Sequence, residues 1–89
     1  LIKSIKLSEG GLTETAIDVR VILKEALLCN ATVVALAHNH PSGSITPSLP
    51  DDSITKRVQK ACDAVRIYFL DHIIVTDGRY YSYRDSGRL

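Results

Sequence analysis

Cysteine is scarce, neither sign of charge dominates, and no apolar run is long, and each of these absences narrows what the chain can be. Only Cys29 and Cys62 occur among 89 residues. Isolated beside apolar or alanine neighbours, they fit buried thiols better than a disulfide framework or a CxxC metal clip. A formal net charge of +1, with Lys and Arg spread along the chain, leaves no basic footprint of the kind that holds phosphate backbones. No direct nucleic-acid site is expected in this segment. The longest apolar stretch, Ala31 to Ala37, falls far short of the ~20 residues that span a bilayer. No leader resembles a signal peptide. A soluble, cytoplasmic chain with no membrane partner is the expectation. Repeats, low-complexity tracts and linker-like runs are also missing. With 45% hydrophobic and 24% charged residues, one thin core is all the chain can bury, so residues 1–89 are expected to be a single domain or part of one.

What is present is periodicity. "LIKSIKLS" places Ile2, Ile5 and Leu7 among lysines in an imperfect strand pattern, and Gly10 and Gly11 then mark a turn or bulge. Asp18 suits the N-cap of a helix carrying Val19, Ile22, Leu23, Ala26 and Leu27, with Asn30 as its stop. "ATVVALA" predicts a strand covered on both faces. Ile54, Val58, Ala61, Cys62 and Val65 share one face of a second helix running to about Val65. "IYFLDHIIVTDGRYYSY" predicts a strand, an Asp77-Gly78 hairpin turn and a last strand. The order strand, helix, strand, helix, strand, strand implies an α/β class. Because the chain opens directly on a strand pattern, it is expected to start inside a larger domain.

Residues 37–52, "AHNHPSGSITPSLPDD", depart from ordinary loop composition. Alternation along a strand puts His38 and His40 on one side, about 7 Å apart by standard rise. Two imidazoles so placed can share one metal ion. Pro41 ends strand pairing, Ser42 and Gly43 begin a loop, and Asp51 is the natural returning acid. Two histidines and one aspartate suffice for a zinc site that keeps a position for water, which would make it hydrolytic. A second reading uses the same carboxylate: Ser48-Leu49-Pro50-Asp51 matches a helix capping box, with Asp52 able to take over either duty. The residues alone leave both readings standing.

His38-x-His40-Pro41, six residues, Ser48, two residues, Asp51 resembles the JAMM motif of the JAB/MPN metalloprotease superfamily. The longer string HNHPSG, then TPS and acids, then LDH and a DGRYYSY end is similar to the RadC branch (DNA repair protein RadC-like, UPF0758), over nearly the whole chain. The resemblance implies a JAB/MPN (cytidine-deaminase-like) three-layer fold, a mixed β-sheet flanked by helices, truncated at its N-terminus. It implies zinc held by His38, His40 and Asp51, with Ser48 steadying the oxyanion when zinc-activated water attacks a peptide or isopeptide bond. The family also uses a glutamate on an earlier strand as general base, and here the chain departs from the pattern. Of Glu9, Glu14, Asp18 and Glu25, only Glu9 lies on or beside the first strand, so it is the one substitute within the chain. The family glutamate itself is expected on a strand preceding residue 1. An unpaired first strand would then offer an edge for homodimerisation.

Two rivals remain: a catalytically silent interaction module in DNA repair or recombination, and a metal-dependent nuclease, since such a site does not specify its electrophile. Asp71 or His72 can orient a ligand imidazole, although hydrogen-bonded core or edge polars are the commoner role of such residues. Tyr80, Tyr81 and Tyr83 can form a base-stacking platform, but strand propensity explains them without one.

Overall fold

Helix α1 (Val19–Leu28) begins where its cap dictates. The Asp18 carboxylate accepts the Arg20 backbone N–H at 2.9 Å, satisfying one donor that the first turn leaves orphaned. The computed structural model to which this helix belongs describes residues 18–40 and 43–89. The predicted first strand, the Gly10-Gly11 turn, Glu9, Glu14, Pro41 and Ser42 lie outside the described residues. Helix α1 buries Ile22 and Ala26. It closes in a Schellman motif: Asn30 N–H donates to Leu27 O at 3.1 Å and Ala31 N–H to Ala26 O at 2.8 Å. Asn30 supplies the left-handed residue, at φ 56°.

Strand β1 (Val33–Asn39) pairs in parallel with β2 (Tyr68–Thr76), and β2 pairs antiparallel with β3 (Arg79–Ser82), giving a mixed sheet in the order β1-β2-β3. The α/β class and mixed sheet expected from the sequence are what the described residues form. Asp77 and Gly78 both take positive φ, 41° and 75°, the condition for a two-residue turn whose twist matches the strands it joins. The parallel pair is bridged by α2 (Leu49–Ala64), capped by Ser48 and ended by a second Schellman motif. In that motif Arg66 N–H donates to Asp63 O at 3.2 Å and Ile67 N–H to Cys62 O at 2.9 Å.

Ile22 and Ala26 of α1, Ile54, Val58 and Cys62 of α2, Leu36 of β1, and Ile67 and Phe69 form one buried cluster. Both cysteines are free thiols, Cys62 buried and Cys29 half-buried. Of the five residues expected on one α2 face, Ala61 is half-buried and Val65, the C-cap one residue past the helix, is exposed. Among the described residues no helix is long and apolar enough to cross a membrane.

Two expectations are corrected. Strand β1 was expected to be covered on both faces, yet Val33, Ala35, Ala37 and Asn39 are exposed while Leu36 and His38 are buried. Among the described residues the helices cover one face only, and the outward positions are mostly small. Strict alternation along β2 puts Phe69 with Asp71 and Ile73, but Phe69, His72 and Ile74 are the buried set. The register with β1 slips between Val34 and Ala35, which face Phe69 and Asp71. Leu70 is thus an extra residue that reverses the phase of everything after it.

Arg66 holds φ 59°, a conformation that costs an L-residue roughly 1–2 kcal/mol and glycine almost nothing. Arg66→Gly is therefore expected to stabilise the fold by about 0.5–1 kcal/mol after glycine's greater unfolded-state entropy is subtracted. Urea unfolding of the two proteins checks this, and an unchanged or lower midpoint would contradict it.

Candidate metal centre

A parallel β-α-β crossover brings the N-terminus of its helix beside the C-terminal end of its first strand, the place where α/β sheets collect ligands. Here that places the first turn of α2 against the last residues of β1. His38 lies on the inner face of β1, and His40 sits one residue beyond the strand, tied to β2 by its N–H donating to Val75 O at 3.2 Å. Asp51 is the third residue of α2. Its backbone N–H donates to Ser48 Oγ at 3.2 Å while its Oδ2 accepts the Ser48 N–H at 2.7 Å. The capping box is therefore real, and it leaves the same carboxylate facing both histidines.

Ligand-type atoms of His38, His40 and Asp51 all lie within 4.8 Å of one another. His38 Nε2 is 3.2 Å from Asp51 Oδ1, and His40 Nε2 is 2.9 Å from Asp51 Oδ2. The two rings meet edge-on with centroids 4.8 Å apart. His40 Nδ1 lies 2.8 Å from the Ser44 carbonyl oxygen, which only accepts, so Nδ1 carries a proton there. In a neutral imidazole that leaves Nε2 a bare lone pair aimed at a carboxylate oxygen. His38 Nε2 and Asp51 Oδ1 are both buried without a hydrogen-bond partner. Lone pairs converging in this way repel unless a proton or a metal cation lies among them, and His, His and Asp are the hard and borderline donors that suit a divalent ion such as zinc.

The surrounding electrostatics agree. Burial pushes the Asp51 carboxyl up, but the backbone N–H and hydroxyl of Ser48 and the two histidines outweigh it, and the net displacement is below the usual carboxylate range. Burial lowers the His38 imidazole, with Asp51 opposing and His40 assisting. Both groups are held in the forms that ligate a metal.

His72 is buried beneath the cluster. Its Nε2 lies 2.9 Å from His38 Nδ1, its Nδ1 lies 2.5 Å from Thr55 Oγ1, and the Thr55 hydroxyl donates to Asp51 O at 2.6 Å. Tyr83 stacks on the His72 ring at 4° and 5.0 Å between centroids, and its hydroxyl donates to Asp52 Oδ1 at 2.7 Å. Asp52 also pairs with Arg88 at 2.8 Å.

Of the two candidates on β2, His72 reaches the site and Asp71 does not. Asp71 instead accepts the His72 N–H at 2.7 Å, the Arg84 N–H at 3.0 Å and the Ser82 hydroxyl, bracing the hairpin. Ser48 is exposed beside the cluster. Asp18 caps α1 and Glu25 sits on α1, and neither joins the cluster. Tyr83 is buried and stacked on His72, so the three tyrosines form no shared platform. Thr55 and Tyr83 were not among the expected site residues. Thr55 stands one helical turn after Asp51 and therefore on its face, and a two-residue turn at Asp77-Gly78 sets Tyr83 opposite His72.

The family described as the RadC-like JAB domain matches residues 1–88. A UPF0758 protein of Actinobacillus pleuropneumoniae serotype 5b is 47% identical over 86 residues, 97% of this chain and 39% of that protein. A UPF0758 protein of Haemophilus ducreyi is 44% identical with the same coverages, 97% and 39%. One from Porphyromonas gingivalis is 44% identical over 90 residues, 100% of this chain and 40% of that protein. The chain thus spans about two fifths of the length of these relatives.

Burial, then the neighbouring His38, lowers the His72 imidazole from 6.5 to about 4. Between these values the unfolded chain binds a proton that the folded metal-free protein refuses, so stability rises with pH across the window. Denaturation midpoints of the metal-free protein are expected to fall as pH drops from 6.5 toward 4, and His72→Gln is expected to flatten the decline. An equal slope in that variant would contradict the assignment.

Proposed function

The chain belongs to the RadC-like JAB domain family, and on that footing we propose that His38, His40 and Asp51 hold a zinc ion in the site of a JAMM-type hydrolase acting on peptide or isopeptide bonds. One observation carries the reading: His38 Nε2 and His40 Nε2 converge on the two oxygens of one buried carboxylate, Asp51, and His38 Nε2 and Asp51 Oδ1 have no hydrogen-bond partner there. A zinc ion held by such a donor set supplies Lewis-acid activation of water for attack on an electrophilic carbonyl.

The chain's own groups then have separate duties. Asp51 is held by the capping box, so its carboxylate would hold such an ion with its orientation already set. Ser48 Oγ accepts the Asp51 N–H, and its hydroxyl, exposed at this helix start, suits a developing oxyanion. Neither carboxylate that α2 brings to the site is free to take a proton from water. Asp51 faces the histidines, and Asp52 is engaged by Tyr83 and Arg88. The base is assigned to a carboxylate outside the described residues, with Glu9 the candidate inside this chain. The same observation favours one alternative, a metal-stabilised interaction module without turnover.

Zinc content per chain, measured beside His40→Ala purified identically, tests the metal site. About one zinc in the wild type and little in the variant is the expected result for a mononuclear centre. Equal zinc in both proteins, or none in either, would sink the reading. Zinc-dependent cleavage of peptide or isopeptide substrates, abolished in Asp51→Asn, separates the hydrolase from the silent module.

A further inference from the structure

His72 is a fully buried imidazole that the proposed reaction does not use, and the proton order of its neighbours defines its work. The Thr55 hydroxyl has one proton, and its 2.6 Å contact with Asp51 O requires donation, because a carbonyl only accepts. Thr55 Oγ1 therefore accepts from His72 Nδ1–H. A neutral imidazole carries one ring proton, so His72 Nε2 is bare and accepts from His38 Nδ1–H across 2.9 Å. The order ends with His38 Nε2 bare, and that is the buried nitrogen without a hydrogen-bond partner, 3.2 Å from Asp51 Oδ1. The reverse order strands the proton of His38 Nε2, because its approach to Oδ1 is not aligned for a hydrogen bond. It also turns the Thr55 hydroxyl away from Asp51 O.

We infer that His72, with Thr55 behind it, is a positioning residue that locks His38 in its Nδ1–H tautomer and so aims the Nε2 lone pair at the metal position. The relay starts at one proposed ligand, His38, and ends on the backbone carbonyl of another, Asp51, so the two are set by one network. Tyr83 holds the His72 ring flat from the other side. An imidazole acceptor also differs from the carboxylate that often stands behind a ligating histidine, because it orients the ring while adding no negative charge. What His38 binds rests on the metal reading; the proton order belongs to the chain itself.

Zinc affinity of the full chain, measured by chelator competition, tests the inference across His72→Leu, His72→Gln, Thr55→Val and Thr55→Ser, each checked for folding by circular dichroism. His72→Leu and Thr55→Val are expected to weaken binding about 10–100-fold, the usual effect of losing a partner behind a ligand. Thr55→Ser keeps the hydroxyl and is expected to match the wild type. His72→Gln is expected to recover most of the loss, since its amide can accept from His38 and donate to Thr55. Should His72→Leu fail to fold, the Thr55 pair carries the test. Nitrogen-15 NMR of the zinc-free protein is expected to show an imidazole proton shared between His38 and His72, bonded to His38 Nδ1 and lost in the Thr55→Val or His72→Leu protein. Equal affinity among folded variants, or no shared proton in the wild type, overturns the inference. A shared proton on His38 Nδ1 in a protein that takes up no zinc upholds the proton order and overturns the metal reading alone.

Discussion

The Asp51 carboxylate is the constraint on which the site depends. It has no exposed surface, and a buried carboxylate is tolerated only where its oxygens are answered. Oδ2 accepts the Ser48 N–H and also faces His40, while Oδ1 faces His38. A capping box and a metal ligand look like rival explanations of one residue. They are compatible because a carboxylate has more lone pairs than a cap consumes, and because the cap sets the orientation that ligation needs. The helix start that specifies α2 also supplies the rigid mount.

The crossover explains why so short a chain can assemble this. His38 and Asp51 are far apart along the backbone for a local motif, but β1-α2-β2 returns the helix start to the strand end without any long-range accident of folding. Strand β2 then supports the cluster from below with His72, and the hairpin to β3 brings up Tyr83. Each supporting side chain comes from a regular element or the residue just past one, which limits how far a ligand atom can wander.

Much of this was legible in the residues. The Asp18 cap, the Ser48 box, the helix periods and the Asp77-Gly78 turn are local signals, and local chemistry decides them. The His-x-His…Asp spacing was legible as a pattern, but whether the side chains converge depends on tertiary placement, which spacing alone leaves open. The end of the second helix near Val65 was legible from its apolar period, but the left-handed Arg66 that closes it was not, with no glycine or asparagine to announce it. Thr55 and Tyr83 were recoverable in principle from helix and hairpin register. They were missed because neither residue type signals metal chemistry by itself.

Strand β2 shows why the position of His72 could not follow from alternation. Counting in twos from Phe69, which must face the helices, turns His72 outward and brings Asp71 inward. The lower half of the strand serves a hydrophobic cluster and the upper half serves polar residues at the sheet's end, and those two tasks demand opposite phases. Leu70 reconciles them: as the extra residue it is exposed at 44%, buries nothing essential, and shifts every later side chain to the other face. Phe69 keeps its place among Ile54, Val58 and Cys62, while His72 arrives beneath His38. A bulge that weakens the ladder at one point is thus what lets a single nine-residue strand contribute to both the core and the site.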